Sequence, residues 1–230
     1  YTGEQPLFEL HGVEDGIRGA LDRTVELHCG GYLIFDQTEA MTVIDVNTGS
    51  FVGKRNQDDA LLKTNLEAAE VLARQVRLRN LGGIIIVDFI NMEKSDHRRQ
   101  VHDALKKFMQ QDTALSEIAA FSKLGLIEIS RKRTGDSLEG LLCEGCSVCH
   151  GRGVIKTAET VCYEIFRKVM SDARTGKNDK LILRVADSVA NRLLNEEATQ
   201  FFDLQQSVGK TISVQVESSY SQEHFDLMPC

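Results

Sequence analysis

Apolar residues recur along this chain with two distinct periods. Val13, Ile17, Ala20, Leu21 and Val25 fall at helical spacing and predict a helix over 13–27. YLIFD (32–36) and MTVIDV (41–46) flank the turn-like QTEA and predict a β-hairpin. From Asp58 to Arg79 the set Leu61, Leu62, Leu66, Ala69, Leu72, Ala73 and Val76 describes an amphipathic helix, which Gly82-Gly83 ends. The run GGIIIVDFIN (82–91) follows as a strand, with Ser95 as the N-cap of a helix carrying Val101, Leu105, Phe108 and Met109. LIEIS (126–130) reads as a further strand. Strands and helices alternating in this way predict a layered α/β fold.

The pattern changes at Cys143. CEGCSVCHGRG is turn-rich and poor in core residues. Beyond it come a helix over about 157–174 with Val161, Ile165 and Val169, the strand LILRV, a helical stretch from Val189 to Leu204, and the strand TISVQV. These predict a second, smaller α/β unit. TGK at 175–177 reads as a linker turn, because the residues a phosphate-cradling loop needs are missing. The only two prolines, Pro6 and Pro229, lie near the ends, so regular structure runs unbroken between them.

A chain of 230 residues holds one large domain or two smaller ones. No apolar run is long enough to span a bilayer, and no secretory signal opens the chain, so no membrane role is expected. The first residue is Tyr1 rather than Met, which suggests a fragment or a processed piece. The formal charge of −7 argues against a protein that coats nucleic acid. It hides basic clusters at Lys54-Arg55, Arg74/Arg77/Arg79, Arg98-Arg99, Lys106-Lys107 and Arg131-Lys132-Arg133, which read as solvated surface.

Two constellations carry chemistry. Asp88 ends an Ile/Val strand, where an ionised carboxylate is costly unless it reaches water or binds a cation. Asp45 ends the strand MTVIDV, and Asn47, two residues on, points to the same face. The helix between these strands lets them become neighbours. Two strand-end carboxylates suit a hard cation such as Mg²⁺, with water and a substrate phosphate completing its shell. Asn47 would orient Asp45 or a bound water. Such an ion polarises a phosphodiester and activates water; solvated strand ends are the alternative. A histidine pair, as attack by a 2′-hydroxyl would want, is poorly provided by His97 and His102, whose spacing does not suit one helix face.

The second constellation is Cys143, Cys146 and Cys149 at C-x2-C-x2-C spacing, followed by His150. Cys29, Cys162 and Cys230 are dispersed and read as buried or free thiols. Clustered C-x-x-C without a secretory signal favours zinc over a disulfide. A tetrahedral zinc needs four ligands. Either Cys143 and His150 complete the set within one chain, or two chains each lend a pair. A redox dithiol is the weaker alternative, because no thioredoxin-like context is visible.

VIDVNTG, NLEAAEVLARQVRLRNLGGIIIVDFI, SDHRR, LGLIEISRKR and CSVCHGRG, in this order, resemble the ribonuclease E/G family, and TAETVCYEIFRKV with VGKTISVQVESSYSQEHFDLM resembles one branch of it. The resemblance covers nearly the whole chain. It implies a bacterial cytoplasmic endoribonuclease that prefers single-stranded RNA, uses Mg²⁺, responds to a 5′-monophosphate, and acts in ribosomal RNA maturation and messenger decay. Asp45 and Asp88 match the metal-binding aspartates and Asn47 the supporting asparagine, in a deoxyribonuclease-I-like domain. Cys146 and Cys149 match the pair through which two protomers share one zinc, leaving Cys143 as an extra thiol.

The implied domains are 1–20, the end of a ribonuclease-H-like region that the 13–27 helix would join; 21–142, catalytic; 143–156, the zinc-link; and 157–230, a small oligomerisation domain. The family's RNA-binding barrel and 5′-sensor are expected ahead of this region, and one phosphate-sensing position falls at Leu115, which offers no charge. The alternative function is a zinc-stapled dimerisation scaffold, idle without the RNA-binding half.

Overall fold

The computed structural model describes residues 1–49, 57–173 and 180–230. The Lys54-Arg55 cluster and the 175–177 turn lie outside the described residues. The fold is mixed α/β, and the chain divides into two compact units, Tyr1–Glu144 and Gly145–Cys230.

The first unit runs α1 (Leu7–Leu10), α2 (Val13–Leu21), β1 (Thr24–Glu26), β2 (Tyr32–Gln37), β3 (Met41–Asn47), α3 (Gln57–Leu78), β4 (Gly83–Asp88), α4 (Ser95–Met109), β5 (Ser116–Ile118), β6 (Leu126–Arg131) and α5 (Leu138–Leu142). Its six strands form one sheet in the order β1-β2-β3-β4-β6-β5. β3 and β4 are parallel, joined by the α3 crossover, and the other pairs are antiparallel.

Alternation along each strand sets the two faces of this sheet. Leu33 and Phe35, Ile44 and Val46, Ile85 and Val87, and Ile127 and Ile129 form one core with Ala68, Ala69, Leu72, Ala73 and Val76 of α3 and Val101, Leu105 and Met109 of α4. Residues of the other parity, Val43, Asp45, Asn47, Ile84, Ile86 and Asp88, therefore point away from α3 and α4. Ile84 is half exposed there. Asp88 thus ends an apolar strand without entering the core.

The second unit runs α6 (Ala158–Ala173), β7 (Lys180–Val185), α7 (Asp187–Leu194), α8 (Ala198–Val208), β8 (Thr211–Val216) and β9 (Phe225–Pro229). Its sheet has the order β8-β7-β9, with β7 parallel to β8 and antiparallel to β9. Val161, Ile165 and Val169 of α6 pack with Leu181, Leu183, Val185, Val189, Leu193, Phe201 and Ile212 in a separate core. No helix among the described residues is long and apolar enough to cross a membrane.

Several expectations need correction. The helix expected over 13–27 stops at Leu21, and Val25 belongs to β1. The backbone turns extended at Asp22, and a two-pronged Arg23–Asp36 ion pair of 2.5 and 2.8 Å holds β1 against β2. Ser95 is the first residue of α4 rather than its cap. Lys94 caps it without a side-chain bond and pairs with Asp58 at 2.9 Å. The stretch from Val189 to Leu204 is two helices with a break around residues 195–197. β5, β9 and α5 had no periodic signal.

Two arginines counted among the solvated clusters are buried. Arg79, 6% exposed, lies over the Phe35 ring at 4.2 Å. Arg131, 5% exposed, pairs with Asp112 and donates to the Leu81 carbonyl at 2.8 Å.

Candidate functional site

Asp45 and Asp88 are direct register partners across the parallel β3–β4 pair. Neighbouring strands lie about 4.8 Å apart, so the two carboxylates project side by side. Asn47 donates from Nδ2 to Oδ2 of Asp45 at 2.8 Å, which fixes one carboxylate rotamer. The three expected residues thus come together, in a shallow open depression completed by Thr48, Phe89, Ile90 and Asn91. A more enclosed hollow of the same unit lies at the start of these strands, among Thr38, Thr42, Arg133 and Asp136, away from the acid pair.

The electrostatics agree with the geometry. Partial burial, and then the negative charge of Asp45, push the Asp88 carboxyl above the ordinary aspartate value. Two anions held this close repel each other, and a divalent cation relieves both. Among the described residues no group of three or more His, Cys, Asp or Glu side chains converges. The pair could supply two protein oxygens to a hard cation such as Mg²⁺, which commonly leaves its other positions to water and substrate.

The scaffold beneath the pair comes from α3, and sequence reasoning missed it. Asn65, fully buried, donates from Nδ2 to the Ile90 carbonyl at 2.8 Å and accepts the Ile90 N–H on Oδ1 at 3.1 Å. This two-point clamp holds the chain two residues beyond Asp88. Glu67 accepts the backbone N–H groups of His28 and Cys29. That loop in turn lies against the end of β3: a Cβ on Gly49, whose φ is +62°, would sit 2.1 Å from the Gly30 carbonyl oxygen. Only glycine allows that approach. The signal for Asn65 was present, since a polar amide occupies a position that the Leu61–Ala69 spacing assigns to the buried face.

The remaining candidates are placed as follows. His102 Nε2 lies 3.0 Å from the Ala119 carbonyl oxygen, in a structural contact. Leu115 is 76% exposed. In the second unit, Cys146 and Cys149 share a run of turns. The Cys146 carbonyl accepts the His150 N–H at 2.9 Å, and His150 itself has a positive φ of 49°. The N–H groups of Cys149 and Val148, followed by the Cys149 thiol, hold the Cys146 thiol below its ordinary pKa. A thiol that loses its proton more readily is a suitable zinc ligand. The chain offers two converging sulfurs here, half of a tetrahedral set. Cys143 belongs to the first unit, where its N–H bonds the Glu139 carbonyl at 2.8 Å. Cys162 is buried, which pushes its thiol up to about 11, and so inert.

An α/β unit that brings two carboxylates together at adjacent strand ends is followed along the chain by a small unit that opens on a C-x-x-C turn. The chain belongs to the ribonuclease E/G family, whose model matches residues 1–134. A second model, described as RNase E/G, Thioredoxin-like domain, matches 145–229. The expectation that no thioredoxin-like context surrounds the cysteines is thereby corrected. Their setting still differs from a redox dithiol at a helix N-terminus, because the pair lies in turns well ahead of Ala158, where α6 begins.

Ribonuclease G of Escherichia coli (strain K12) is 50% identical over 228 residues, which are 99% of this chain and 47% of that protein. Ribonuclease G of Haemophilus influenzae is 44% identical over 229 residues, again 99% and 47%. Ribonuclease E of E. coli is 38% identical over 197 residues, 86% of this chain and 19% of that protein. The chain spans about half the length of the ribonuclease G relatives it matches.

Proposed function

We propose that this chain carries the catalytic and zinc-link part of a Mg²⁺-dependent endoribonuclease that hydrolyses single-stranded RNA, including ribosomal RNA precursors and messengers, in the bacterial cytoplasm. Membership of the family supports the reaction class, and the registered Asp45–Asp88 pair with its Asn47 support is the observation that carries the assignment. In this reading the first unit has a deoxyribonuclease-I-like catalytic domain over 21–142, and residues 1–20 end a ribonuclease-H-like region.

Asp45 and Asp88 would hold the magnesium, which supplies an acidified water and a polarised phosphodiester. Asn47, by its hydrogen bond to Oδ2, would hold the Asp45 carboxylate in a single orientation for such an ion. Asn65 keeps the strand-end loop, and with it Asp88, in register. Attack by water rather than by the 2′-hydroxyl leaves 5′-phosphate and 3′-hydroxyl ends.

Cys146 and Cys149 would hold half of a zinc whose other two thiolates come from a second chain, giving a homodimer or a higher homo-oligomer through residues 143–156 and 157–230. The absence, among the described residues, of a third nearby ligand favours sharing over a site closed within one chain.

The test is cleavage of a short 5′-monophosphorylated single strand at graded Mg²⁺, comparing the protein with Asp45→Asn and Asp88→Asn. Each variant is expected to lose cleavage while keeping its fold, and 2′,3′-cyclic phosphate products would overturn the hydrolytic route.

A further inference from the structure

We propose that the Arg152–Glu223 ion pair positions the Cys146–Cys149 turn, holding both thiols in the one arrangement that can face a shared zinc; this rests on the zinc-link reading above. The turn cannot hold itself. Its flanks, Val154 at 71% and Ile155 at 42% exposed, contribute no core, and Gly151 and Gly153 both take positive φ in a backbone with many alternatives. Ordering such a segment costs backbone entropy at every residue, so directional contacts must supply what burial does not.

Those contacts form a continuous path. The Cys149 carbonyl accepts from Arg152 twice, from its backbone N–H at 3.0 Å and from Nε at 3.1 Å. The same guanidinium donates from Nη2 to Oε2 of Glu223 at 2.5 Å. Oε1 of Glu223 accepts the Lys156 N–H at 2.6 Å. Gln222 donates to the Lys156 carbonyl at 2.7 Å and accepts from Ser188 Oγ at 2.8 Å. Residues 222 and 223 lie between β8 and β9, so the path ends on the framework of the small unit.

An exposed ion pair alone contributes little. Here each charged group also grips backbone, and Arg152 reaches its two partners through a rigid planar fork, which a lysine lacks. Groups that orient metal ligands in this way commonly change metal affinity 10–100-fold when removed.

The experiment measures zinc affinity by competition with a chromogenic chelator, and assembly by sedimentation, in the full chain. Arg152→Ala and Glu223→Gln are each expected to weaken zinc binding by about 10–100-fold. The double variant should be no weaker than the worse single one, and far-UV circular dichroism should be unchanged. Glu223→Gln is nearly isosteric and reports even if Arg152→Ala disturbs the fold. Wild-type affinity in both single variants, or fully additive losses, would overturn the proposal. Failure of the zinc-link reading looks different: Cys146→Ala would then retain zinc and assembly.

Discussion

Asp45 and Asp88 are paired residue for residue across β3 and β4, on the sheet face turned away from α3 and α4. Parallel pairing brings both strands to the same end together, so one crossover helix suffices to place two acids from distant sequence side by side. The arrangement works against the stability of the metal-free fold, because partial burial and the negative charge of Asp45 raise the cost of ionising Asp88.

Asp88→Asn should therefore melt at a higher temperature than the wild type at pH 7 without Mg²⁺. The Asp88 carboxyl is raised above 3.8 in the fold, so its ionised form costs stability at neutral pH, and that cost fades as pH falls through the raised value. The advantage of the variant should shrink on acidification, and Mg²⁺ should raise the melting temperature of the wild type alone. Calorimetry across pH would refute this if the variant were no more stable at neutral pH.

Removing the Asn65 amide should damage the site from behind. Asn65→Ala leaves the Ile90 N–H and carbonyl without their partners, at about 1–3 kcal/mol for each buried group left unpaired. Denaturant titration should show that loss. Cleavage should need more Mg²⁺ for half-maximal rate, because the chain beyond Asp88 is no longer held. An unchanged Mg²⁺ requirement would limit Asn65 to a purely structural role.

The Asp112–Arg131 pair should set much of the acid sensitivity of the first unit. Its side chains are 3% and 4% exposed, with an N–O distance of 2.7 Å. Burial alone would raise the Asp112 carboxyl, but hydrogen bonds from Arg131 and the Ala114 N–H, with the guanidinium charge, bring it below its ordinary value. The stabilisation is thus complete above the unfolded value of 3.8 and is lost as pH falls through the depressed one. Asp112→Asn should cost about 3–5 kcal/mol at neutral pH, because the buried Arg131 charge loses its counter-ion. A loss below about 1 kcal/mol would mean that water compensates the arginine.

Zinc stoichiometry separates the two ways of closing the thiolate site. Elemental analysis with light scattering should give about one zinc per two chains, with dissociation on chelation or in Cys146→Ala. One zinc per chain, or an assembly indifferent to chelator, would place the contact between protomers elsewhere.

Local periodicity made the larger elements legible. The apolar stripe of α3, the alternation in β2 and β3, and the Ile/Val run of β4 each record which side of one element meets a core, and that record is written within a dozen or so residues. The residue types also narrowed the chemistry, leaving solvated strand ends and a redox dithiol as the alternatives to metal sites. Other features depended on partners far along the chain. Val25 continues a helical pattern, yet pairing with β2 and the Arg23–Asp36 contact draw it into a strand. Arg79 and Arg131 look like surface charge until an aromatic face and a buried carboxylate are brought to them. Asn65 gains its meaning only when Ile90 arrives beside it. The sequence by itself determined the larger elements and the residue types available at their ends. The tertiary structure alone decided that Asp45 and Asp88 meet in register on the face away from the helices, because register and face follow from long-range strand pairing and shared burial, which no local period encodes.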